Sequence, residues 1–281
     1  MRKRIKQFCL AMCMVPILCA GVTTALADIS PAQRQSLVAL YQQTDGDMWS
    51  INTGWKEPPL APDGFAMPGT ENRWYGVTCN QTNTRVTALR LPRQGLAGED
   101  LSFLSGLVYL RTLDLRDNNL YGNNFAFLSA LADLRNLYLG GNLFESPIIP
   151  NVSQLGQLRR LDLSRNRFDY EDLAALAALM NLEHLDLGHN RLTYEGLSFI
   201  QNLPQLVHLN LSDNLLSGLF NFQWNQLKYV DLSDNDLEWD QFTLAGGENL
   251  EYLDFSHTSS MWISAITGWG ARVMRLTWSA A

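Results

Sequence analysis

One eleven-residue phrase, L-x-x-L-x-L-x-x-N-x-L, recurs along this chain, and its regular return constrains the fold more than any other feature. The copy from Leu182 to Leu192 reads LEHLDLGHNRL, and close copies begin at Leu110, Leu134, Leu158, Leu206 and Leu227. Weaker copies begin at Val86 and Leu250, with Gln94 and Thr258 in the asparagine slot. The slot residues Gln94, Asn118, Asn142, Asn166, Asn190 and Asn214 are each 24 residues apart; Asn235 follows after 21 and Thr258 after 23. One copy cannot bury its own leucines, whereas stacked copies share a continuous core. Each copy is therefore predicted to place one short strand in a parallel sheet. Its spaced leucines point inward, and the residues between them line the other face. An asparagine amide at the end of each strand can satisfy backbone groups of its own coil and of the neighbouring one, which makes its burial tolerable.

The phrase and its period resemble those of leucine-rich repeat proteins. The resemblance implies an α/β solenoid, a horseshoe with a parallel β-sheet on its concave face and short helical, 3₁₀ or extended segments on its convex face. Residues 172–180 (DLAALAALM) and 196–203 (GLSFIQNL) are expected to form such short helical returns, and the 21-residue repeat an extended one. The resemblance also implies a binding role through the concave face, and no ligand identity.

Residues 1–27 have the form of an export signal. Arg2, Lys3, Arg4 and Lys6 precede an apolar centre from Phe8 to Ala20, and Ala25-Leu26-Ala27 is a small-x-small cleavage site. The expected location is outside the cytoplasm, periplasmic or secreted. The whole chain has 21 basic and 28 acidic residues; without the signal's four basic residues, 17 face 28, a net charge of −11. That balance argues against nucleic acid and anionic membrane surfaces as general partners. Three of the four cysteines lie in the signal, so Cys79 is left with no partner for an internal disulfide.

Residues 28–85 form an N-terminal cap ahead of repeats spanning 86–281. Ser30-Pro31-Ala32-Gln33 is a helix start, with Ser30 at the N-cap and Gln33 placed to close a capping box. Asp45-Gly46-Asp47 reads as a turn, since the further ligands of a calcium loop are missing. The run R-W-Y-G-V-T-C-N, residues 73–80, resembles the cap of extracellular leucine-rich repeat proteins of plant-receptor and secreted bacterial types. Their pattern is C-x-W-x-G-V-x-C; here Trp74, Gly76, Val77 and Cys79 match, and Asn72 stands at the first cysteine. The cap disulfide that the resemblance implies is therefore missing, and Cys79 is expected to be a buried, inert thiol. At the other end, residues 271–278 read as one more strand. Trp224, Trp239, Trp262, Trp269 and Trp278 crowd the last third, either closing the hydrophobic end or offering a surface for self-association.

Aligning the copies places columns of side chains on the concave face. One column contains Arg160, His184, His208, Tyr229 and Tyr252, and the next Asp162, Asp186, Asn210, Asp231 and Asp254. Arg111, Arg135, Arg159 and Arg165 edge the early rungs, and His189, Asp213, Asp234 and His257 the later ones. The acidic column can be an ordinary solvated face of the repeat wording. It can also be half of a binding surface, because tyrosine, histidine and arginine beside carboxylates form interaction hot spots. In that second reading neighbouring carboxylates favour charged His184 and His208, so binding responds to pH in the ordinary histidine range. A metal site from His184, His208 and Asp186 lacks motif spacing, and a shallow sheet excludes too little water for catalysis. The sequence thus points to an exported module that binds a protein or glycan, with no catalytic site, metal or cofactor. The alternative is a hydrolase or metal-dependent enzyme using the His/Asp cluster.

Overall fold

A leucine every second or third residue, on strands of three to five residues, forces the chain to coil. The computed structural model describes residues 28–169, 173–217, 226–237 and 249–258. The export signal and the tryptophan-rich end, with the strand expected at 271–278, lie outside the described residues. So does the return of the 21-residue repeat. Eight parallel strands follow one per repeat: β2 (Val86–Arg90), β4 (Thr112–Asp114), β6 (Asn136–Tyr138), β7 (Arg160–Asp162), β8 (His184–Asp186), β9 (His208–Asn210), β10 (Tyr229–Asp231) and β11 (Tyr252–Asp254). Their register is strict: Leu161 pairs with Leu185, Leu185 with Leu209, and Leu209 with Val230. The repeat leucines are buried throughout, from Leu89 to Leu253. At about 25 cal/mol per Å² of apolar surface removed from water, these rows form the main stabilising term.

The convex returns are short 3₁₀ segments at Ser102–Gly106, Ala126–Ala130, Leu173–Ala178 and Tyr194–Asn202, together with a single helical turn, α2 (Ile149–Val152). This agrees with the helical returns expected for residues 172–180 and 196–203. The repeat phrase does not foretell a second, two-stranded parallel sheet, which β3 (Ala97–Asp100) and β5 (Asn119–Asn124) form just after the slot residues Gln94 and Asn118. Gly98 at φ 139° and Gly122 at φ 90° let these strands take their path.

The asparagines form a ladder. Each Nδ2 donates to the carbonyl of the third leucine in its own repeat and in the preceding one, as Asn142 does to Leu139 and Leu115. Each Oδ1 accepts a backbone N–H of the preceding coil: Leu96 for Asn118, Leu120 for Asn142, Phe144 for Asn166, Phe168 for Asn190, Leu192 for Asn214 and Leu216 for Asn235. Asn118, Asn142, Asn214 and Asn235 are buried, whereas Asn166 and Asn190 are only half-buried. Gln94 joins the same ladder to the cap, its Oε1 accepting the N–H of Ile51 at 2.8 Å. The residue just before each asparagine is left-handed: Asp117, Arg165, His189, Asp213 and Asp234 all have φ between 49° and 54°. Gly141 fills that slot at φ 68° with no Cβ penalty.

The cap seals the first edge of the sheet. Strand β1 (Val77–Cys79) pairs antiparallel with β2, so no parallel edge is left open on that side. Helix α1 (Pro31–Gln43) starts at Ser30, whose Oγ accepts the N–H of Gln33 at 3.4 Å. Gln33 does not return a bond to the Ser30 backbone as a capping box would. Its Nε2 reaches the Ser30 hydroxyl and the carbonyl of Thr84, and its Oε1 accepts the N–H of Val86 at 2.7 Å. The start of β2 has an otherwise unmet donor, and satisfying it outweighs closing the box. Beneath the helix, Tyr41, Trp49, Trp55, Phe65 and Trp74 pack ring on ring with centroids 4.7–5.9 Å apart. Asp45 (φ 53°) opens the expected turn, and Asp47 is tied to Lys56 and the Tyr41 hydroxyl rather than to a cation site. Cys79 is free and half-buried. Burial, with the Glu71 charge adding to it, pushes its thiol up to about 11, well outside the reactive range.

Candidate functional site

Parallel pairing in strict register brings equivalent side chains of successive repeats face to face. Arg160 aligns with His184, His184 with His208, His208 with Tyr229, and Tyr229 with Tyr252. From His208 onward the rings stack tightly: His208 on Tyr229 with centroids 4.0 Å apart and planes 8° apart, then Tyr229 on Tyr252 at 4.3 Å and 2°. His184 and His208 are looser, at 5.3 Å and 34°. The sequence showed the column but not this stacking. The rings cover one another's faces, so the groove meets their edges, the imidazole nitrogens and the phenol oxygens. The Tyr252 hydroxyl donates to Asp254 Oδ2 at 2.8 Å.

The neighbouring acidic column is neither free nor simply solvated. Each of its members accepts the backbone N–H two residues on. Asp162 accepts from Ser164, Asp186 from Gly188, Asn210 from Ser212, Asp231 from Ser233 and Asp254 from Ser256, at 2.8–3.1 Å. The Ser164 and Ser233 hydroxyls add second bonds to Asp162 and Asp231 at 2.7 Å. These carboxylates close each strand with a local turn, a role that a side chain two residues before a serine or glycine can signal. Burial raises Asp162 and Asp186 above the ordinary carboxylate value, outweighing the hydrogen bonds they accept.

The histidines behave opposite to expectation. Burial between neighbours lowers both, with Arg160 adding to the shift of His184 and the His184 ring adding to that of His208. Glu183 and Asp231 oppose these shifts without overcoming them. Desolvation, with the Arg160 and His184 charges, outweighs these carboxylates and holds both imidazoles below the ordinary histidine value. The sign follows: on acidification the unfolded chain, with the ordinary histidine value of about 6.5, takes up protons first. The pair's contribution to stability is therefore full above about pH 6.5 and falls away below it. An NMR titration should give midpoints for His184 and His208 below that of a free histidine. A midpoint above it for either ring would mean that the carboxylates dominate after all.

On the early rungs, Arg116 lies over the Tyr138 ring at 4.8 Å and pairs with Asp114 at 2.7 Å and Asp162 at 3.9 Å. At the left-handed edge, His189 Nδ1 meets Asp213 Oδ2 at 2.5 Å, and Arg93 meets Asp117 at 3.0 Å. The structure thus brings all ten residues of the two candidate columns together on one face. Among the described residues, no group of three or more histidine, cysteine or acidic side chains is arranged to hold a metal ion. No helix among them is long and apolar enough to cross a membrane.

A family model described as Leucine Rich repeat matches residues 158–177 and 178–200. An Arabidopsis thaliana protein described as a probable inactive leucine-rich repeat receptor-like protein kinase is 30% identical over 115 residues. That match takes in 41% of this chain and 15% of the relative, so the chain spans only a small part of the relative's length. Among solved structures, a plant ice-binding protein is 24% identical with a TM-score of 0.62, over 82% of this chain and 80% of that one. The PEPR1–AtPEP1 structure is 22% identical with a TM-score of 0.55, over 81% and 35% of the two chains. Both are likenesses of fold. The in-phase phrase, the one-strand-per-repeat sheet, the asparagine ladder and the matched model together show that this chain is built of leucine-rich repeats, similar to those of a plant receptor-like kinase.

Proposed function

We propose that this protein is an exported binding module, not an enzyme, and that it holds an extended protein ligand against its concave face over the rungs from Leu158 to Leu253. Arg160, His184, His208, Tyr229 and Tyr252 form the contact comb, with Asp162, Asp186, Asn210, Asp231 and Asp254 beside it. The observation that carries this reading is the ring stack. Because the rings cover one another's faces, they offer little flat surface to a sugar. Their exposed edges carry hydrogen-bonding atoms at each rung, a pattern that a polypeptide backbone and its polar side chains can meet. Stacked on one another, His208, Tyr229 and Tyr252 have little rotamer freedom left to lose on binding. The PEPR1–AtPEP1 complex, of similar fold, adds the general support that this architecture can serve binding.

The test uses the purified protein immobilised to recover partners, followed by calorimetry on the partner obtained. His184→Ala combined with Tyr229→Ala is expected to weaken binding by about 2 kcal/mol or more, roughly 30-fold. Gln154→Ala, exposed on the convex side, is expected to leave it unchanged. Wild-type affinity in a folded double variant would show that the ligand sits elsewhere.

A further inference from the structure

A guanidinium and two imidazoles occupy three successive rungs of one column. Arg160 pairs in register with His184, and His184 with His208, so the three stand one strand spacing apart, about 4.8 Å. The His184 and His208 rings, with centroids 5.3 Å apart and planes at 34°, make the loosest step of the stack, whereas Tyr229 covers His208 at 4.0 Å and 8°. The other charged groups around the pair are already engaged. Arg159 and Glu183 cancel at 2.8 Å, Lys228 is held by Glu251 at 2.9 Å, and His189 on the rim meets Asp213 at 2.5 Å. Asp162, Asp186 and Asp231 accept backbone N–H groups two residues on, and Asn210 on β9 carries no charge. Acid weakens these carboxylates further, because burial already favours the neutral forms of Asp162 and Asp186. Arg160 is exposed and makes no ion pair among the described residues. A proton on each ring therefore puts three cations in line. The two rings do not suffer equally. The electron-rich face of Tyr229 attracts a charged His208, while a charged His184 has a cation on either side.

We propose that this column is a proton-operated switch with its break point at the His184–His208 step. With both rings uncharged the comb is continuous; in acid His184 leaves the column, while His208 stays stacked on Tyr229. The device rests on the reading of this column as the contact comb and adds its regulation. An uncharged imidazole has one acceptor nitrogen and a charged one has none, so a ligand N–H met at either ring loses its partner in acid. Each proton that a ligand must displace costs tenfold in affinity per pH unit below that ring's midpoint, and two rings together make release steep.

The probe is the proton itself, acting on the purified full chain without any partner, so a failed search for a partner and a failed switch are separate results. Proton NMR follows ring-to-ring Overhauser contacts from about pH 8 to about pH 4.5 alongside the two histidine titrations, which straddle the range below the ordinary value of about 6.5. The His184–His208 contact is expected to disappear as the rings titrate, while the His208–Tyr229 contact and the dispersed amide shifts of the leucine core persist. Arg160→Gln should raise the His184 midpoint by about half a pH unit or more, because the neighbouring cation is gone. His184→Phe should raise the His208 midpoint and keep the substituted ring against His208 in acid, since that ring takes up no proton. A His184–His208 contact that persists after both rings are charged would overturn the proposal. So would loss of the His208–Tyr229 contact first, an unmoved His184 midpoint in Arg160→Gln, or unfolding of the whole chain before either ring titrates.

Discussion

Replacing Arg34 by methionine is expected to destabilise the protein by about 3–5 kcal/mol, because it leaves a carboxylate buried without its counter-charge. Glu71 is 2% exposed and receives the Arg34 Nη1 donor on one oxygen and the Gly69 N–H, at 2.8 Å, on the other. Arg34 also clamps Asp63 with two bonds at 2.8 and 3.0 Å, donates to the Ala66 carbonyl at 2.7 Å, and lies over the Trp74 ring. Burial works against its charge, but the bonds to Asp63 and Glu71 outweigh it and raise the guanidinium further. The same bonds hold the Asp63 carboxyl below its usual range, so that part of the stabilisation is present at neutral pH and is lost as pH falls through the carboxylate range.

The location explains the arrangement. Glu71 precedes Asn72, the position where the resemblance implies a cap cysteine, and its charge reaches Cys79. An ion-pair cluster ties helix α1 to the loop before β1 in a cap that has no disulfide. The control is the exposed pair Lys228–Glu251, whose removal should cost less than about 1 kcal/mol. Denaturation midpoints for Arg34→Met and Lys228→Ala that shift equally would show that the cap is held by its aromatic packing alone. Adding Glu71→Gln to Arg34→Met should recover part of the loss, since the orphaned charge disappears.

The second large effect is expected at Asn118. Its Nδ2 is shared among the carbonyls of Leu91, Leu115 and Arg116, and its Oδ1 accepts from Gln94 and Leu96, all within 2.9–3.1 Å. Asn118→Ala orphans these backbone groups at the junction between the cap and the repeats, at about 3 kcal/mol, measurable by urea denaturation. Asn166→Ala should be milder, because Asn166 is half-buried and water can replace some of its bonds. Arg165→Ala, exposed beside it, should fall within about 0.5 kcal/mol of wild type. If Asn118→Ala destabilises no more than Arg165→Ala, the ladder is not what joins the coils.

The sequence alone was enough to specify the repeat, the strand positions, the inward leucines, the asparagine ladder and the membership of both concave columns. These follow from short-range periodicity, and each repeat can satisfy its leucines only by stacking on its neighbours. Tertiary structure decided what depends on neighbours one coil away. The ring stack from His208 to Tyr252, the second sheet of β3 and β5, and the partner that Gln33 chooses at Val86 are all contacts across at least 21 residues. The charge state of His184 and His208 belongs to the same class. A column of histidines beside a column of aspartates reads as mutual pairing, but in the folded molecule the aspartates bond to the chain two residues on. Burial, with the neighbouring Arg160 and His184 charges, then outweighs the carboxylates at the histidines, and desolvation is a property of packing that no spacing of letters encodes.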